Sequence, residues 1–195
     1  MPRYDAHTAL IVVDMQNDFA DPAGALYVAG GELVVPIVNR AIDEARAAEA
    51  FVAYSQDWHP EHTAHFAQDG GIWPVHCVRE TWGAAFHPGL CVLDAPVIRK
   101  GVAGEDGYSA FSVRDPQTSE RAATALEALL RERGIAQVTV VGLATDYCVL
   151  ETALDAARLG FATTVLADGV RAVDLEAGDG DRALEAMRAA GVRIE

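Results

Sequence analysis

The chain has 195 residues, 51% of them hydrophobic and 23% charged, with a formal net charge of −14. That length suits a single domain, and such acidity argues against a phosphate-tracking surface, so nucleic acid and anionic membranes are excluded as expected partners. Three cysteines give no disulfide framework and favour a reducing, cytoplasmic setting, while the apolar run Ala9–Val13 is too short for a leader or a membrane span. One count stands apart: of the 15 basic residues fourteen are arginine, and Lys100 is the sole lysine.

Taken in chain order, Ala9–Val13 predicts a first strand and Glu32–Ala48 a helix, with Leu33, Ile37, Ala41 and Ala45 at four-residue steps. Strands follow at Phe51–Tyr54 and Pro96–Ile98. Ser119–Arg133 predicts a helix with Ala122, Leu126, Leu129 and Leu130 on one side, stopped by Gly134. A strand at Val138–Leu143, a helix over Tyr147–Leu159, a strand at Thr163–Ala167, a helix over Asp181–Ala190 and a strand at Val192–Ile194 complete the series. The strand runs are continuous rather than alternating, as in a parallel sheet covered on both faces, and their alternation with helices implies βαβ units. Residues 57–95 break that rhythm and hold five of the six histidines and all three tryptophans. An irregular insertion of that length is expected to be functional.

In open α/β sheets ligands bind beyond the carboxyl ends of the strands. The first strand runs into Asp14, the second into Asp57, the third into Lys100, and the fourth leads through Ala144 to Cys148. A lone charged residue at one strand end is explained by capping; four complementary groups at successive ends are expected to converge. Cys148 is expected in the first turn of a helix capped by Thr145 or Asp146, where the helix dipole favours thiolate. The backbone N–H groups of Ala144 and Cys148 are candidate oxyanion donors. Asp14 is a candidate proton acceptor for the thiol, and the compact ammonium of Lys100 can hold the two together where a guanidinium fork is less adaptable. Cys77 and Cys91 lack this setting and read as structural. Asp57-Trp58-His59, with His62, His65 and His76 downstream, offers a carboxylate and imidazoles that suit Zn²⁺, Mn²⁺ or Fe²⁺ rather than Ca²⁺ or Mg²⁺.

These stretches resemble one family. Val13-Asp14-Met-Gln-Asn-Asp-Phe19, Asp57-Trp-His-Pro60, Trp73-Pro-Val-His-Cys-Val78 continuing to Gly83-Ala-Ala-Phe-His-Pro88, Arg99-Lys-Gly101 with Asp106-Gly-Tyr-Ser-Ala-Phe111, and Gly142-Leu-Ala-Thr-Asp-Tyr-Cys-Val149 are similar, in that order, to motifs of the isochorismatase-like cysteine hydrolases, and among them of the nicotinamidases. The resemblance covers nearly the whole chain. It implies a three-layer α/β sandwich around a six-stranded parallel sheet of Rossmann-like order 3-2-1-4-5-6. It also implies hydrolysis of nicotinamide, and of pyrazinamide, with Asp14, Lys100 and Cys148 catalytic and a thioester on Cys148. By the same likeness Asp57, His59 and His76 bind a divalent metal, Zn²⁺ first and Fe²⁺ or Mn²⁺ next, and that metal holds the substrate's pyridine nitrogen. His65 falls at the fourth-ligand position, which varies in the family; His62 has no counterpart. Phe19, Trp73 and Tyr108 match ring-contacting positions, Tyr147 beside the nucleophile joins that substrate set, and a cis peptide is implied at Leu143-Ala144. Trp82 and Gly107 depart from the expected Pro and Ser. An amidase of another small amide or carbamoyl compound, and a noncatalytic metal- or ligand-binding module, are the alternative functions. Oligomeric state is left open, a homo-oligomer included, because no separate association segment is visible.

Overall fold

An apolar run near the amino terminus becomes the centre of the sheet. In the computed structural model, which describes residues 3–195, β1 (Thr8–Val13) is buried at every position. It pairs in parallel with β2 (Phe51–Asp57) on one side and β6 (Gln137–Leu143) on the other. β3 (Val97–Lys100) adds outside β2, β7 (Ala162–Arg171) outside β6, and β8 (Arg193–Ile194) outside β7. With the separate antiparallel hairpin of β4 (Ser112–Arg114) and β5 (Arg121–Ala123) set aside, the order is the expected 3-2-1-4-5-6.

Alternation along β1 divides the core into two layers. Leu10 and Val12 pack with Val34, Val38 and Ile42 of α2 (Gly31–Ala47), which follows the short α1 (Asn17–Ala20). Ala9, Ile11 and Val13 face the opposite layer, formed with Leu130 of α3 (Leu126–Glu132), Ala153 of α4 (Leu150–Arg158) and Met187 of α5 (Asp179–Ala189). Each fully buried Val, Leu or Ile here contributes roughly 1.5–3 kcal/mol. Burial on both faces is why the strands read as unbroken apolar runs. Among the described residues no helix is long and apolar enough to cross a membrane.

Several elements differ from their sequence reading, among them β2, which runs on past Tyr54 to Asp57, and β7, which runs on past Ala167 to Arg171. The helix expected over Ser119–Arg133 begins only at Leu126, because Arg121–Ala123 is exposed and pairs with β4 instead. Thr124 marks the change: its hydroxyl donates to Ala110 O at 2.6 Å and accepts the Leu126 N–H at 3.2 Å. The third strand begins one residue late and runs on to Lys100, whose Cα pairs with that of Asp57. The helix expected from Tyr147 starts as a wide π-type turn, Thr145–Val149, and becomes α-helical at Leu150.

β1 and β6 meet at a residue without a side chain, Gly142 opposite Val13. Gly142 has φ +117°, and a Cβ there would stand 2.0 Å from Val13 O. Both the backbone region and the space exclude an L side chain. Gly142→Ala is expected to lower the unfolding free energy by more than about 3 kcal/mol, read from the urea midpoint; an unchanged midpoint would show that the sheet yields at this position.

Candidate active site and metal centre

The β ladder delivers the charged residues to one edge. Asp14 follows β1 in a left-handed conformation (φ 46°), and its N–H donates to Ser55 O at 3.3 Å. Ser55 Oγ in turn donates to Asp14 Oδ1 at 2.7 Å. Lys100 is fully buried. Its Nζ donates to Asp14 Oδ2 at 2.7 Å, to Tyr108 O at 3.2 Å and to Gly107 O. Asp57 Oδ1 lies 2.9 Å from the same Nζ, in an ion pair whose angles fall outside a hydrogen bond. Three donors thus meet three acceptors, and the second carboxylate adds attraction alone.

The charges shift one another as this packing requires. Burial opposes the Lys100 ammonium, but Asp14 and Asp57 outweigh it and hold the lysine well above its ordinary value. Burial likewise opposes the Asp57 carboxylate, but Lys100 and then His59 hold it well below the usual range. Asp14 goes the other way: burial, with some help from Asp57, raises it against the pull of Lys100.

Cys148 completes the group. Its Sγ and carboxylate oxygens of Asp14 and Asp57 all lie within 4.8 Å of one another. The expected dipole-stabilised thiolate is not what the environment favours. Burial pushes the thiol well above its ordinary value, and Lys100 only partly opposes this. Neither Thr145 nor Asp146 caps the turn: Asp146 accepts the N–H groups of Val173 and Asp174, each at 2.9 Å, and so ties down the loop after β7. The Leu143-Ala144 peptide is cis, as the resemblance implied. Cys77 is buried, and Cys91 is half-buried; all three cysteines are free.

Beside the thiol the insertion gathers its histidines. Donor nitrogens of His59, His65 and His76 lie within 4.8 Å of one another, all buried. Asp57 Oδ2 is 3.7 Å from His59 Nε2 and 3.9 Å from His76 Nε2. These are too long for hydrogen bonds, but donors bound to one ion at about 2.0–2.2 Å stand roughly 3–4 Å apart. Both ring nitrogens of His59 are buried without a partner, a costly arrangement unless something else meets them. His76 Nδ1 faces Pro74 O at 2.7 Å and His65 Nδ1 faces Asp106 Oδ1 at 3.0 Å, which leaves Nε2 of each as donor. Burial lowers the His76 pKa to about 4 against the attraction of Asp57, so the ring is neutral and able to ligate. One carboxylate and three imidazoles fit a divalent transition ion. His62 lies outside, 77% exposed at the side chain and paired with Asp69 at 3.2 Å.

A narrow cleft opens between the two groups. Phe19, Trp73, Tyr108 and Tyr147 line it, together with Ala144 and Cys148. Trp73 stands edge-on to Tyr147, with ring centres 4.8 Å apart, and its Nε1–H donates to Tyr108 Oη at 2.9 Å. Apart from His62, the catalytic, metal and ring-contacting candidates named from the sequence lie in or beside this cleft. Of the two departures, Trp82 is 53% exposed and does not line the cleft, whereas Gly107 is pressed on the lysine: a Cβ would lie 2.6 Å from Lys100 Cβ. Leu26 and Val173 also line the cleft, and were missed because they come from loops without pattern. Gln16 was missed as well. It accepts the Asp57 N–H (2.8 Å) and donates to Asp57 O (2.8 Å) and Ala84 O (2.9 Å). A buried amide two residues beyond the acid at a strand end was its only signal.

Fold and site together mark an α/β protein with a buried thiol–carboxylate–ammonium group beside an Asp/His centre. Residues 8–195 match the isochorismatase domain family, and the chain belongs to it. It is 39% identical over 203 residues to a nicotinamidase of Escherichia coli K12, covering 95% of this chain and 93% of the relative. Among solved structures it resembles a pyrazinamidase of Pyrococcus horikoshii in complex with zinc (39% identity, TM-score 0.87, 97% of this chain and 98% of that one). It also resembles the PnC1 protein of L. infantum in complex with nicotinate (36% identity, TM-score 0.89, 98% and 94%).

Removing the ammonium tests the charge arrangement. Lys100→Met leaves two buried carboxylates facing each other and should lower stability by about 3–5 kcal/mol. Adding Asp14→Asn should restore part of the loss, because one of those charges is gone. Urea unfolding of the single and double variants measures this; simple additivity would mean that the groups are not coupled.

Proposed function

We propose that the protein is a metal-dependent cysteine amidohydrolase that converts nicotinamide to nicotinic acid and ammonia, acting as one domain whose segment 57–95 is a metal-binding insertion. The observation that carries the reading is a cleft thiol grouped with a buried Lys100–Asp14 pair, next to three histidines whose free nitrogens converge. The nicotinamidase and pyrazinamidase relatives support the choice of substrate.

In this mechanism Asp14 accepts the Cys148 thiol proton as Sγ attacks the carboxamide carbon. Lys100 keeps the extra negative charge from driving the two groups apart. The N–H groups of Ala144 and Cys148 hold the oxygen that becomes negative. When the C–N bond breaks, Asp14 returns the proton and the nitrogen leaves as ammonia, with Cys148 held as a thioester. Water then attacks the thioester carbon while Asp14 takes its proton. The C–S bond breaks, nicotinic acid leaves, and Cys148 regains its proton. Phe19, Trp73, Tyr108 and Tyr147 hold the ring between them and exclude bulk water. Asp57, His59, His65 and His76 would hold one divalent ion, Zn²⁺ before Fe²⁺ or Mn²⁺, and that ion supplies a Lewis-acid contact for the pyridine nitrogen.

Two measurements test this reading. Ammonia release is expected from nicotinamide and pyrazinamide and not from aliphatic or carbamoyl amides, with bound metal measured on the same sample. Cys148→Ala should lower turnover on the order of 10⁴-fold or more with the fold retained; surviving activity would end the covalent mechanism. The pH profile is the second. Below its raised pKa Asp14 carries a proton and cannot accept another, so kcat/KM should fall on acidification with a midpoint above the ordinary Asp value of about 3.9. A midpoint at or below that value would remove Asp14 as the base.

A further inference from the structure

His65 is the metal-site residue that the family pattern leaves variable, and in this chain it is held from behind. Its Nδ1 meets Asp106 Oδ1 at 3.0 Å. A carboxylate can only accept, so Nδ1 carries the hydrogen and the Nε2 lone pair is presented to the His59–His76 cluster. Asp106 is fixed in turn by Arg114, at the end of β4. The two exchange backbone hydrogen bonds, Asp106 N–H to Arg114 O at 2.7 Å and Arg114 N–H to Asp106 O at 2.8 Å. The Arg114 guanidinium then donates to the other carboxylate oxygen, Oδ2, at 2.7 Å. Each oxygen of Asp106 thus has one task, one oriented to the histidine and one to the arginine. Burial falls off in the same direction. The side chains of His65, Asp106 and Arg114 are 5%, 12% and 48% exposed.

We infer that Arg114 and Asp106 are positioning residues for the metal: they fix the tautomer and ring plane of His65, so that a half-exposed arginine on a surface hairpin governs how tightly the ion is held. The inference rests on the metal centre proposed above. An outer partner of a ligating histidine orients the ring and raises its basicity, and its loss commonly weakens metal binding 10- to 100-fold. Arg114 acts one step further out and has the smaller effect. Its loss leaves Asp106 free to turn on its side-chain torsions but does not remove the acceptor. Gly107, next to Asp106, gives its carbonyl to Lys100, so the same loop also borders the catalytic ammonium.

The test is Zn²⁺ affinity, measured by competition with a chromophoric chelator, together with the thermal midpoint of each metal-free protein. Asp106→Leu should weaken Zn²⁺ binding by about 10- to 100-fold. Asp106→Asn, which keeps an acceptor for Nδ1–H, should fall between it and the unaltered chain, and Arg114→Ala should weaken binding severalfold. His62→Ala, at a histidine outside the cluster, should leave affinity unchanged. Unchanged affinity in both Asp106 variants overturns the inference and leaves the metal centre standing. So does a fall in the metal-free midpoint with no change in affinity, which marks a purely structural role. Failure of the unaltered chain to bind one Zn²⁺ overturns the metal centre itself, and the inference with it.

Discussion

The site depends on one buried ammonium. Lys100 has no exposed surface, and a charge there survives only if each N–H is met and opposite charge stands close. Asp14 supplies that from the end of β1, Asp57 from the end of β2, and Gly107 and Tyr108 offer carbonyls from the loop that follows β3. The lysine therefore ties together three neighbouring chain segments at the carboxyl edge of the sheet. It also divides the work of Asp57. One carboxylate oxygen faces Lys100 and the other faces His59 and His76, so the proposed catalytic group and the proposed metal centre share a single side chain. Gln16 holds the backbone of that shared residue from both sides of its peptide group.

The same burial decides the state of the nucleophile. A helix amino terminus favours a thiolate by about 0.3–1 kcal/mol, and less where the turn is wide. Taking an anion out of water costs several kcal/mol. At the buried Cys148 the larger effect wins, and the thiol is favoured over the thiolate. In the proposed mechanism the proton then has to move during the reaction, which calls for a base with a raised pKa next to the sulfur and a lysine that stabilises the charge without taking the proton itself. A thiol kept neutral until substrate arrives also avoids a third anion next to two carboxylates.

Much of this was legible in the sequence, for a physical reason. Strands covered on both faces must be apolar throughout, so charged residues just beyond each run mark the carboxyl edge of the sheet, and Asp14, Asp57 and Lys100 were found in that way. The aromatic and histidine content of residues 57–95 marked the metal side. What stayed hidden depends on contacts distant in sequence. Ser119–Ala123 carries a helical pattern, yet it is exposed and finds a strand partner in Ser112–Arg114. Asp146 has the chemistry of a cap, but the amides of Val173 and Asp174 reach it first. Asp106 and Arg114 are ordinary polar residues by composition; only the fold shows that Asp106 meets His65 and that Arg114 meets Asp106 in turn.

The one lysine in an arginine-rich chain is explained by the shape of its surroundings. A guanidinium is a planar fork that favours a carboxylate lying in its own plane. The partners of Lys100 Nζ are instead spread over separate segments: a carboxylate acceptor at one strand end, two successive carbonyls of a loop, and a second carboxylate that adds charge alone. A compact ammonium with three hydrogens satisfies that arrangement, and a longer, flat group does not. Gly107 is the matching half of the fit. A side chain there would run into Lys100 Cβ at 2.6 Å and the Gly101 amide at 2.8 Å, so the loop closes on the lysine only because that residue has none. Whatever pressure fills this chain with arginine, the position at the end of β3 admits only the smaller cation.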